Sequence, residues 1–127
     1  MKELLAEFAK LNIPDGQYAI YGSGPLAIRG IREARDLDVV VRDGFYQELI
    51  KEYPEKEKGK IEINAGDIEI FPAWNSLINE PEEVIGRAEL IEGFRFITIE
   101  DLVIWKKELD REKDHKDLKL IKRYRDQ

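Results

Sequence analysis

Two aspartates stand one residue apart in a segment that is otherwise strongly β-prone. Asp36 and Asp38 flank Leu37, and three valines follow. In a strand over 36–42, side-chain alternation places the two aspartates on one face, about 6–7 Å apart, and sends Leu37, Val39 and Val41 to the core. Carboxylates at that separation can converge on one or two divalent cations. Without a cation, their like charges raise each other's pKa.

This pair of acids is weak evidence when it is taken alone. The chain has 27 acidic residues among 127, so chance produces about six acid-x-acid pairs. A metal site therefore needs support from other parts of the sequence.

A later segment supplies further acids. Asp67 and Glu69 share one face of a predicted strand over 67–71, opposite Ile68 and Ile70. If this face lines up with that of the 36–42 strand, a third carboxylate joins the pair, and hard oxygen ligands of this kind are what Mg²⁺ prefers. The alternatives are that Asp67 serves the adjacent hairpin turn, which is favoured for this residue, and that Glu69 faces solvent.

Small residues follow the first predicted strand, in the run Gly22-Ser23-Gly24-Pro25. Small residues between a strand and a helix let backbone N–H groups approach an anion. The segment is not a P-loop, because no Lys-Ser/Thr pair follows, and Ala27 occupies the third glycine position of a Rossmann fingerprint. The alternative is an ordinary turn.

The elements that must position these residues follow from hydrophobic periodicity and turn signals. Helical spacing predicts helices over 4–11, 26–30, 45–53 and 99–124, the last broken near 110–114, and strands are predicted over 18–21, 37–41, 61–63, 67–71 and 93–97. Thr98 is expected to cap the last helical segment, with Asp101 three residues on. The alternating charges of 55–60 predict a solvated loop. The fold class is therefore α+β, a mixed β-sheet flanked by helices in one domain over residues 1–127.

The order of these signals resembles the nucleotidyltransferase fold superfamily, the polymerase-beta-like proteins. Its signature is a hydrophobic residue with Gly-Ser, about a dozen residues to Asp-x-Asp, and a third acid on a later strand. Twelve residues separate Ser23 from Asp36 here. The segment looks most like small prokaryotic members, including the abortive-infection toxin nucleotidyltransferases, in which an arginine precedes the first aspartate by four residues. Arg32 has that place, while Ala34 departs from the Thr or Ser that usually follows.

The C-terminal segment is similar to the same group, which carries a hydrophobic-Lys helix and then Arg-x-Lys-Asp-x-x-Asp. The matching residues are Lys106 and the run from Arg111 to Asp117. Lys106 lies within an apolar helix stripe, and Asp114 lies on the apolar side of the next helix, so each needs a partner. The alternatives are that Lys106 reaches a nucleotide phosphate while Asp114 holds Arg111 or Lys106, or that Lys106 snorkels outward and Asp114 caps a helix.

Composition excludes several kinds of chemistry. The chain has no cysteine, which removes disulfides, thiolate metal sites and cysteine nucleophiles, and its single histidine, His115, is expected to be solvated. A net charge of −6 makes bulk nucleic-acid binding unfavourable. Basic residues near the C-terminus, from Lys116 to Arg125, are expected to form a solvated helix face. No run is apolar enough for a membrane span and no signal-peptide pattern begins the chain, so we expect a cytoplasmic protein.

The resemblance implies transfer of a nucleoside monophosphate from an NTP, such as ATP, to an acceptor hydroxyl on a small molecule, RNA or protein. It implies that Asp36, Asp38 and Glu69 are catalytic and hold two Mg²⁺ (or Mn²⁺) ions. Gly22, Ser23, Arg32 and Lys106 would then bind the nucleotide. The acceptor is unassigned, and a homodimer or a partner protein, as in toxin–antitoxin pairs, could complete the site. The alternative from a different class is a non-catalytic module that binds nucleotide or a partner on the same fold.

Overall fold

The six strands of the chain form one sheet in a computed structural model that describes residues 1–127. The strands are β1 (Tyr18–Tyr21), β2 (Leu37–Val41), β3 (Ile61–Ile63), β4 (Ile68–Pro72), β5 (Glu89–Ile91) and β6 (Phe94–Phe96). The helices are α1 (Lys2–Ala9), α2 (Gly24–Ile28), α3 (Asp43–Leu49), α4 (Pro81–Gly86), α5 (Ile99–Leu109) and α6 (Glu112–Arg125).

The sheet is mixed, with the order β3-β4-β2-β1-β6-β5. β2 lies near its centre, antiparallel to β1 and parallel to β4. β1 also pairs in parallel with β6, and two antiparallel hairpins, β3–β4 and β5–β6, form the two edges. This architecture confirms the predicted α+β class with a mixed sheet and flanking helices.

An apolar layer packs on each face of the sheet, and β2 contributes side chains to both layers. Leu37, Val39 and Val41 belong to one buried cluster, together with α1 and α3. Val40, from the other face, belongs to a second cluster with α2, α4 and α5. Asp38 shares the face of Val40, so this aspartate lies where the second apolar layer ends.

The two C-terminal helices begin and end where the local chemistry requires it. The backbone N–H of Asp101 donates to Oγ1 of Thr98 at 3.0 Å, which confirms the predicted cap of α5. α5 ends because Asp110 adopts a left-handed conformation with φ 51°, and α6 starts two residues later. The predicted break near 110–114 is therefore correct.

The structure corrects the sequence predictions at several places. α1 ends at Ala9 and not near residue 11, and the strand β5 was not predicted at all. The 55–60 segment is mostly exposed, as predicted, but it is also held in place. Glu55 accepts hydrogen bonds from the Tyr46 hydroxyl at 2.7 Å and the Gly59 N–H at 2.8 Å.

No helix of the structure combines the length and the apolar character needed to cross a membrane.

Candidate active site

The three predicted carboxylates come from neighbouring strands. Asp38 lies in β2 directly opposite Glu69 of the parallel strand β4, and Asp36 lies just before β2 begins. Adjacent strands are about 4.8 Å apart, so the register brings Asp38 and Glu69 to one edge of the second apolar layer. Both line the same cleft as Asp36, a depression of about 680 Å³. Asp67, the other candidate acid, lies outside this cleft in the turn before β4, where it is exposed, as the turn role predicts.

Asp38 has an electrostatically unfavourable position. Burial, followed by the neighbouring charges of Asp36 and Glu69, raises its pKa from the ordinary value of 3.8 to about 6. No hydrogen bond from the protein offsets these effects, and the charges of Lys113 and Lys60 offset them only in part. A half-buried carboxylate without a hydrogen-bond donor is stabilised by any cation that approaches it.

The Gly22-Ser23 turn packs directly against this carboxylate. Gly22 has a φ of +69°, and a Cβ built there would lie 2.7 Å from Oδ2 of Asp38. Only glycine therefore fits the turn while Asp38 keeps its position. Ser23 is half-buried in the same cleft, and its hydroxyl has no hydrogen-bond partner in the protein. α2 has only five residues, so anion binding at this turn depends on the serine hydroxyl and the backbone rather than on a long helix.

Arg32 and Lys106 both reach the cleft wall, where they are already paired with an acid. Arg32 forms a bidentate pair with Asp117, with Nε–Oδ1 at 2.7 Å and Nη2–Oδ2 at 2.8 Å. Lys106, buried with 3% of its surface exposed, lies 2.8 Å from Asp117 and 3.5 Å from Asp114. These contacts connect the α2–β2 loop to α5 and α6, so both cations hold the cleft together.

Asp114 combines the two alternatives that the sequence left open. It caps α6, accepting from the Arg111 N–H at 3.1 Å, and it also pairs with the Arg111 side chain at 2.6 and 3.0 Å. Burial alone would raise the pKa of Asp114, but the hydrogen bonds from Arg111 and the charge of Lys106 hold it below its usual range. Lys106 does not snorkel outward.

Three cleft residues were not assigned a role from the sequence. Asp117 is buried and carries the pairs to Arg32 and Lys106; burial opposes its ionisation, yet the hydrogen bonds from these two cations lower its pKa. Arg35 and Lys113 are exposed cations that line the cleft and form no ion pair. The i, i+3 spacing of Asp114 and Asp117, which puts both on one helix face, was the available signal for Asp117.

The donor set fits a hard divalent cation in part. Asp36 and Asp38 offer oxygen ligands of the type that Mg²⁺ and Mn²⁺ take, and Asp38 has no other cation bound to it. Glu69 is engaged differently, because Nζ of Lys60 forms an ion pair with its Oε2. As the structure places them, the acidic side chains form no group of three or more that could hold a metal ion together.

Comparison with known proteins bears on the fold. The chain matches no protein-family profile and no curated protein sequence. It is similar to the crystal structure of a candidate nucleotidyltransferase from Thermotoga maritima, with a TM-score of 0.62 over 93% of this chain and 91% of that one, at 14% sequence identity. The fold is therefore nucleotidyltransferase-like, which confirms the architecture that the resemblance implied.

Proposed function

We propose that this protein transfers a nucleoside monophosphate from an NTP to an acceptor hydroxyl, with release of pyrophosphate, in a reaction that depends on a divalent cation. The observation that carries the proposal is the contact between the Gly22-Ser23 turn and the carboxylate of Asp38. That contact brings a turn suited to phosphates next to an acid that lacks a counter-ion. The nucleotidyltransferase-like fold supports the same reaction class.

The carboxylates have distinct roles in this proposal. Asp36 and Asp38 hold Mg²⁺ or Mn²⁺ through their oxygens. When it is bound, the ion would neutralise negative charge on the triphosphate. Glu69, opposite Asp38 in β4, orients the acceptor hydroxyl toward the phosphate to be attacked.

The phosphates are bound beside these carboxylates, at the Gly22-Ser23 turn. The Ser23 hydroxyl donates to a phosphate oxygen, and the backbone at Gly22 allows close approach. Arg35 and Lys113 are free to pair with the triphosphate because the protein gives them no acidic partner. Arg32 and Lys106, which were predicted to bind nucleotide, add positive potential while they remain paired with Asp117.

A non-catalytic nucleotide sensor is the second candidate, and one observation favours it. Lys60 pairs with Glu69, which removes the third carboxylate from a ligand set with Asp36 and Asp38. Such a protein would bind nucleotide through the same cleft and transfer nothing. The similarity to toxin nucleotidyltransferases, and with it an RNA or protein acceptor, remains a prediction from residues 22–41 and 97–118.

Label transfer distinguishes these candidates. The protein is incubated with each α-labelled NTP, Mg²⁺ or Mn²⁺ and a cell extract, and labelled small molecules, RNA and protein are separated. We expect label in one fraction with wild type and with the control Asp67→Asn, whose exposed side chain lies outside the cleft. We expect none with Asp38→Asn. Nucleotide binding without label transfer from any NTP would contradict the enzyme and support the sensor.

A further inference from the structure

Lys60 is a cation built into the protein beside the third carboxylate. Its ammonium nitrogen contacts Oε2 of Glu69 and lies 3.3 Å from Oε2 of Glu62, and a weaker contact of 3.9 Å reaches Glu57. The side chain is only 21% exposed, although the segment before it is solvated. Lys60 is the residue immediately before β3, so the β3–β4 hairpin determines its position.

The strand register explains why a cation is needed there. Glu62 lies opposite Glu69 in the β3–β4 pair, and Glu69 lies opposite Asp38 in the β4–β2 pair. Three carboxylates therefore form a row across adjoining strands, which lie about 4.8 Å apart. Like charges directly opposite each other destabilise a sheet. The Lys60 ammonium contacts the outer two and offsets part of their negative charge, whereas Asp38 has no ion pair.

The ammonium of Lys60 contacts both glutamates at once, with Oε2 of Glu62 at 3.3 Å and Oε2 of Glu69 closer. A divalent cation that used Glu69 as a ligand would have to displace this ammonium from both glutamates. A cation held by Asp36 and Asp38 displaces nothing, because no basic side chain pairs with either aspartate.

We infer that Lys60 takes the place of a second divalent cation, so that the cleft binds one divalent ion through Asp36 and Asp38 while Lys60 holds Glu69 beside it. This inference rests on the proposed function for the role of the two aspartates. It replaces the two-ion site that the sequence resemblance implied. In this arrangement the ammonium of Lys60, fixed beside the β3–β4 hairpin, replaces an exchangeable divalent cation.

Counting bound Mn²⁺ tests the inference without any transfer reaction. Titration calorimetry and the loss of the free-Mn²⁺ electron paramagnetic resonance signal are measured on the nucleotide-free protein. Wild type should bind one equivalent, and Lys60→Met should bind a second. Lys60→Arg, which keeps the charge, should bind one equivalent. The matched control Lys58→Met should also bind one equivalent, because Lys58 is an exposed lysine of the same segment that forms no ion pair.

A second variant decides the question even if Lys60→Met fails to fold. Glu69→Gln should leave the Mn²⁺ affinity of the otherwise wild-type protein within about threefold, because Glu69 is paired with Lys60. A fall of tenfold or more would show that Glu69 is a metal ligand and would overturn the inference. Two equivalents in wild type, or an unchanged single equivalent in folded Lys60→Met, would overturn it as well.

Results that refute the role of Lys60 can be distinguished from results that refute the proposed function. Two bound ions together with label transfer would refute the role of Lys60 and leave the enzyme intact. One bound ion without transfer from any NTP would refute the enzyme and leave the role of Lys60 intact. No Mn²⁺ binding at all would overturn both.

Discussion

Replacing Asp38 by asparagine should stabilise the metal-free protein, and the effect should depend on pH. Folding raises the pKa of this carboxyl from 3.8 to about 6, chiefly through burial and then through Asp36 and Glu69. At about 1.4 kcal/mol per pH unit, the ionised carboxylate costs up to about 3 kcal/mol of folding free energy. The native state favours the protonated acid. Its contribution to stability is thus full below about pH 4 and is lost as the pH rises through 6.

Thermal melts at several pH values measure this cost. Asparagine carries no charge at any of them, so Asp38→Asn should melt above wild type at pH 7.5 and close to it at pH 4. For a domain of this length, about 3–5 °C per kcal/mol gives a difference of up to roughly 10–15 °C at pH 7.5. Asp67→Asn, which removes an exposed acid, is the control and should melt with wild type at both values.

Divalent cations extend the same assay. At ten times the dissociation constant, Mg²⁺ should stabilise wild type by about 1.4 kcal/mol, or roughly 4–7 °C. Asp38→Asn should lose most of this shift because it lacks one of the two ligands. If the asparagine variant melts below wild type at pH 7.5 and Mg²⁺ moves neither protein, Asp38 is a structural acid and the proposed mechanism is wrong.

Three further experiments test other parts of the site. Ser23→Ala should lower the affinity for a non-hydrolysable NTP by about five- to thirtyfold, because one hydrogen bond to a charged group is lost. Gly22→Ala should abolish Mn²⁺ binding, because the added Cβ meets Asp38. If calorimetry finds both affinities unchanged, the nucleotide binds elsewhere. Lys106→Met should lower the free energy of unfolding, measured with denaturant, by about 3 kcal/mol, because it leaves buried acids without their partner. Lys107→Met replaces an exposed neighbour and should change this free energy little. Equal unfolding midpoints for the two variants would contradict the buried network. Mn²⁺ affinity should be constant above about pH 6.5 and fall about tenfold per pH unit below 6, since a proton must leave Asp38, and a flat profile would show that this carboxylate is not a ligand.

Local patterns were sufficient to predict most of the elements. Uninterrupted β-branched residues predicted β2, the Asn64-to-Gly66 turn predicted the β3–β4 hairpin, and Thr98 predicted the start of α5. Each of these signals lies within a few residues of the element that it specifies. β5 has no such signal, because its short sequence alternates poorly and only its pairing with β6 makes it a strand.

The site was predictable only where its residues follow local patterns. The period of one strand predicted that Asp36 and Asp38 lie together, and both do line the cleft, although Asp36 lies just before β2. The partner of Arg32 could not, because Asp117 is 85 residues away and only tertiary packing brings the two together. Lys60 was missed for a related reason. Its charge-rich neighbourhood is typical of solvated loops, and only the register of three strands shows that it faces Glu62 and Glu69.

The pairs that Arg32 and Lys106 form with Asp117 impose an order on how the cleft is completed during synthesis. A nascent chain that has left the ribosome only as far as β4 already carries every carboxylate of the proposed cation site. It lacks Lys106, Asp117 and the free cation Lys113, because these lie on α5 and α6. The acids Asp36, Asp38 and Glu69 are thus made first, together with Arg32 and Arg35, whereas Lys106 and Lys113 join the cleft only when the last helices dock on the second apolar layer. An unfinished chain that ends before α5 therefore carries the acids of the cleft but lacks Asp117, whose pairs hold Arg32 and Lys106 in place.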